Sequence, residues 1–86
     1  MSSAEYDIDE RELSLLKALL EHAGRHGQLV FQCFDTPFGW RWHVLFGPQV
    51  YEGRTETELD AYKAALGVGI LEGAISSGFS YLLEDR

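Results

Sequence analysis

The chain is 86 residues long, which bounds it to one small acidic domain over 1–86. Fourteen acidic residues against seven basic ones give a formal net charge of −7, and the basic residues are scattered singly. This weighs against a grip on phosphate backbones or anionic lipid, so neither nucleic acid nor membrane is expected as a direct partner.

Met1 to Tyr6 reads as a frayed tail. The opening MSSAEYDIDERE is acidic and lacks a basic region followed by an apolar run, so no signal peptide is expected. No apolar stretch reaches the ~18–20 residues of a membrane span. The expected setting is a soluble, reducing one, the cytoplasm. Asp7 or Asp9 is placed to cap a first helix, with Glu10 and Glu12 in its first turn, where the helix dipole favours negative charge. Leu13, Leu16, Leu20 and Ala23 recur at steps of three and four, and Leu15 and Leu19 widen the stripe. The helix should end between Gly24 and Gly27, with His22, Arg25 and His26 at its negative end.

From Leu29 to Tyr51 the period becomes two. Leu29, Phe31 and Cys33 alternate with Val30, Gln32 and Phe34, and Trp40, Trp42, Val44 and Phe46 alternate with Arg41, His43 and Leu45. These are two strands of a hairpin, and the tryptophan side faces the core. The loop between them is read as Asp35 to Gly39, about five residues built on Pro37 and Gly39. Gly47-Pro48 ends the second strand and lets Gln49 to Glu52 return as a short third one. Cys33 is the single cysteine, which excludes an internal disulfide framework and a Cys-rich zinc site. Inside an apolar strand it reads as a small buried hydrophobe, with a reactive thiol as the lesser alternative.

Glu52-Gly53-Arg54 is read as a turn, and Thr55 with Glu58 as a capping box opening a second helix. Leu59, Tyr62, Leu66, Ile70 and Gly73 trace its buried face, with Gly69 beside Ile70 as the alternative to Gly73. Gly67, Gly69 and Gly73 each cost about 1 kcal/mol relative to Ala, so something should offset them. Ala61, Ala65, Gly69 and Gly73 form a smooth ridge at steps of four. Close packing inside the molecule explains it; a close helix contact with another copy or a partner is the competing reading. Ser76-Ser77-Gly78 should end the helix. The tail Phe79 to Glu84 is too apolar to be a free end, and can pack under the domain, add an edge strand or dock on another subunit.

His22 and His26 stand four apart and could ligate a metal with a third group from Cys33, Asp35 or His43. A helix-end role, binding the last carbonyls, accounts for them more simply. Glu56, Glu58 and Asp60 could imitate a nucleic-acid backbone, but a helix start explains them as well. No nucleophile elbow, phosphate loop, dinucleotide fingerprint or Cys–His–Asp arrangement is present. No catalytic residue, cofactor or metal is assigned.

The order helix, strands, helix resembles the double-stranded-RNA-binding domain, over about two-thirds of the chain. The stretch Gly53 to Leu66, GRTETELDAYKAAL, resembles that family's passage from the third strand into an alanine-rich last helix. The resemblance implies a fold and no more, because the family's phosphate-gripping lysines are replaced here by Glu56, Glu58 and Asp60. In size and acidity the chain is also similar to phage-encoded inhibitors, anti-CRISPR proteins among them.

The expectation is an α+β fold of α-β-β-(β)-α order. Its small antiparallel sheet has three strands, four if the tail joins it, with two helices on one face. A non-enzymatic protein-binding module, an inhibitor or adaptor, is the leading functional reading. Its contact residues would be Phe34, Arg41, His43 and Leu45 on the open sheet face, and Glu56, Glu58 and Asp60 towards a partner that could be basic. The alternatives are a homodimer joined through Gly69, Gly73, Phe79 and Tyr81, and a small ligand-binding domain or enzyme using His43, Arg41 or the pair His22 and His26.

Overall fold

The computed structural model describes residues 3–27 and 29–83. Helix α1 runs Ser3–Arg25, strands β1, β2 and β3 run Val30–Thr36, Gly39–Phe46 and Gln49–Thr55, and helix α2 runs Glu58–Leu71. A 3₁₀ helix, Ser77–Leu83, closes the described chain. The sheet is an antiparallel meander in the order β1-β2-β3. The fold is α+β with α-β-β-β-α order, as the periodicities imply. No helix among the described residues is long and apolar enough to cross a membrane.

Both helices lie on one face of the sheet. Leu16, Leu20 and Ala23 of α1 and Ala65 and Leu66 of α2 meet Leu29 and Val44 in a buried core, with Phe31, Trp42, Phe46 and Tyr51 packed against it. Leu16, Leu66 and Val44 are the largest fully buried side chains, each stabilising the fold by about 1.5–3 kcal/mol relative to exposure. Trp40 shares the face but is only half-buried at the sheet's end. Two ion pairs tie the helices together: Lys63 to Glu12 at 3.4 Å and Lys17 to Glu58 at 3.8 Å. The first partner moves up α1 as the second moves down α2, which sets the helices antiparallel.

The turns differ from expectation. Pairing continues to Thr36 opposite Gly39, so the first loop is the two residues Pro37-Phe38. The Thr36 hydroxyl makes this work: it accepts from the Phe38 N–H at 3.1 Å and donates to the Gly39 carbonyl at 2.6 Å. At the second turn Gly47 takes φ 58° and Pro48 is held negative by its ring, the sign pattern of a type II′ hairpin.

The ends of the other elements also differ from expectation. Helix α1 begins at Ser3, inside the stretch read as a frayed tail, so Asp7 and Asp9 lie within the helix and not at its start. Glu52-Gly53-Arg54 is no turn, because β3 runs on to Thr55, opposite Trp40. The cap of α2 is accordingly Thr57 and not Thr55: its hydroxyl accepts from the Asp60 N–H at 3.1 Å. The Thr55 hydroxyl instead donates to the Thr57 carbonyl.

Helix α2 ends at Leu71, short of Ser76. Gly73 adopts φ 79°; its N–H donates to the Ile70 carbonyl, and the Ala74 N–H reaches the Gly69 carbonyl. This is a Schellman stop, which needs a residue tolerant of positive φ. Gly73 is therefore not part of the buried helical face. The smooth ridge faces inward, with Ala61, Ala65 and Gly69 all buried. The tail forms no fourth strand among the described residues. It folds as the 3₁₀ helix, burying Leu82 and packing Phe79 on the core.

Candidate functional site

Among the described residues, alternation leaves the second face of the sheet without helices over it. Its side chains fall into three rows across β1, β2 and β3. Phe34, Arg41 and Arg54 make one row, Gln32, His43 and Glu52 the next, and Val30, Leu45 and Val50 the third. Val30, Phe34, Leu45 and Val50 are between 39% and 62% exposed, and Phe38 at the hairpin tip is 80% exposed. These are five of the nine large apolar side chains that the described part of the chain leaves exposed.

The middle of the face is polar. Glu52 Oε1 lies 3.2 Å from Arg41 Nη2 and 3.3 Å from His43 Nε2, while Arg41 Nε donates to His43 Nε2 at 3.4 Å. The imidazole nitrogen cannot serve both neighbours at once: without a proton it accepts from Arg41, and with one it donates to Glu52. Phe34 meets the His43 ring edge to face at 5.8 Å. A hollow of about 310 Å³ opens beside this network, lined by Arg41, Glu52, Gly53 and Arg54. Gly53 shapes the other side of the same strand. A Cβ there would stand 2.8 Å from the Trp42 ring, so the missing side chain lets the indole lie flat on β3.

Alternation therefore brings Phe34, Arg41, His43 and Leu45 together, with Gln32. It does not bring the other candidates to this face. Glu56 is exposed at the β3–α2 junction; Glu58 faces Lys17, and Asp60 sits in the capped first turn of α2. Gly69 is filled over by Ile75 and Leu29, Phe79 packs on the core, and Gly73 and Tyr81 are exposed. Val30, Phe38, Val50, Glu52 and Arg54 belong to the face or its tip and were missed as site residues. The β3 members follow from the same alternation once the strand is carried past Gly53.

A larger groove of about 580 Å³ lies between α1 and the start of β1, bordered by Lys17, Leu20, Arg25, Val30, Phe31 and Tyr62, among others. His43 lines neither hollow. Cys33 is half-buried on the covered face; burial and then the Glu58 carboxylate push its thiol up, Lys17 opposes them, and Asp35 adds to the rise. It is kept as the thiol at neutral pH, which suits packing better than nucleophilic attack. Tyr62 is likewise raised, by burial first and then by Cys33 and Glu58. His22 and His26 stack edge to face at 4.3 Å, and no group of three His, Cys, Asp or Glu residues able to hold a metal forms among the described residues.

No family model matches the chain, and no significant match is found among curated proteins or solved structures.

Proposed function

We propose that this chain is a non-enzymatic protein-binding module, an inhibitor or adaptor, that engages its partner through the open face of its sheet. The concentration of exposed apolar side chains on that one face carries the reading. Exposed apolar side chains gathered on one face are typical of protein contact sites. Aromatic residues and arginine, which recur in interface hot spots, are both present in the row Phe34, Arg41, Arg54. The acidic start of α2 contributes less to this reading, since Glu58 already answers Lys17 and Asp60 stands in a capped turn.

The test is site-specific photocrosslinking in extracts of the source cell. A crosslinker at Phe38 or Val50 should trap a protein that one at Leu71, exposed elsewhere on the fold, does not. Phe34→Asp with Leu45→Asp should abolish the adduct while the far-ultraviolet circular dichroism stays unchanged. A folded double variant that still yields the adduct would overturn the reading.

A further inference from the structure

Resting on the reading of the open face as a protein-contact surface, we infer that its ligand is an extended acidic and apolar segment of the partner protein, with a side-chain carboxylate seated between Arg41 and Arg54. Arg41 and Arg54 stand directly opposite each other in register and on the same side of the sheet. Like charges in that relation are unfavourable, and the chain does little to relieve them. Glu52 is the one carboxylate among the nine face positions, and it already answers both Arg41 and His43. Arg54 has no ion pair among the described residues. The face therefore carries two guanidiniums against one carboxylate on a chain whose net charge is −7. The helices pack on the other face of the sheet, with Glu12 and Glu58 answering lysines there, and screening over about 8 Å at physiological salt weakens their influence on the front.

Both arginines line the hollow beside the pair, and a guanidinium is a planar fork suited to a carboxylate. The other end of the face is apolar. The row of Val30, Leu45 and Val50 lies four residues along the strands from the arginine row, about 13 Å at strand spacing. An extended segment places side chains of one face at that distance when they are four positions apart. The recognised pattern is thus an aliphatic residue and an acidic residue at i and i+4. Two arginines are too few for a nucleic-acid backbone, whose affinity comes from many phosphate contacts.

The probe is a blocked nonapeptide with leucine at its third position, glutamate at its seventh and serine or threonine elsewhere, titrated into isotopically labelled protein by NMR. The expected result is shifts confined to amides of β1, β2 and β3 and to the Arg54 Nε–H. Affinity should fall about fivefold for R54Q, and as much for a peptide with glutamine in place of glutamate. Equal binding of the glutamate and glutamine peptides, no shift up to about 1 mM peptide, or tighter binding of an oligothymidylate would each overturn the inference. The two readings fail separately. A photocrosslinked adduct at Phe38 that R54Q leaves unchanged would overturn the carboxylate seat and keep the contact face, whereas an adduct surviving Phe34→Asp with Leu45→Asp would overturn the face itself.

Discussion

A Cβ on Gly53 would stand 2.8 Å from Cζ2 and 2.9 Å from Nε1 of Trp42. A rigid indole packed against the buried core has little freedom to retreat. Gly53→Ala should therefore lower stability by about 1–3 kcal/mol, read as a lower midpoint in urea with altered tryptophan emission. An unchanged midpoint would mean that the indole does not lie on β3. The same contact explains a misreading. Glycine after a short apolar run is ordinarily turn punctuation, and here it is a strand residue emptied for a neighbour 11 positions away in sequence. Local chemistry holds no trace of that neighbour. Arg54, one residue on, was lost with it, and so was half of the arginine pair.

At the scale of the element, three glycines of equal helix propensity have three different tasks near the end of α2. Nothing lies within 4 Å of a Cβ on Gly67, so Gly67→Ala should raise stability by about 1 kcal/mol. A Cβ on Gly69 would meet Ile75 Cδ1 at 2.6 Å and Leu29 Cδ2 at 3.2 Å; the helical gain is offset by overpacking, and a net loss is expected. Gly73 sits at φ 79° after the last turn, where alanine costs about 1 kcal/mol. Thermal midpoints should thus place Gly67→Ala above the wild type and the other two below it. A rise in all three would mean that the helix continues past Leu71. The contrast marks what periodicity can and cannot carry. The faces of α1 and β2 were legible, Leu15 apart, which is exposed, because burial imposes their periods over many residues. Phe34, Arg41, His43 and Leu45 could be placed together on the same ground. Element ends were less legible, because Thr36, Thr57 and Gly73 act through single hydrogen bonds or one backbone angle, and several nearby residues could have served as well.

For the whole molecule, ionic strength separates the two kinds of partner that an exposed apolar face could meet. Two copies of a chain with net charge −7 repel each other at long range. Salt screens that repulsion and leaves apolar burial in place, so association of the face with a second copy should strengthen as salt rises. Attraction between an acidic segment and the Arg41–Arg54 pair should weaken over the same range. The small-residue ridge adds little to self-association, since Gly69 is already covered by Ile75 and Leu29; Leu71 and Tyr81 remain exposed off the sheet. We therefore expect light scattering after size exclusion to give a monomer across a concentration series at both about 50 mM and about 500 mM salt, while peptide affinity falls between the two. A dimer that tightens at high salt and dissociates on Val50→Asp would instead assign the open face to a second copy. A dimer broken by Tyr81→Asp and indifferent to Val50→Asp would leave the face free for its acidic ligand, and place self-association at the C-terminal end of the fold.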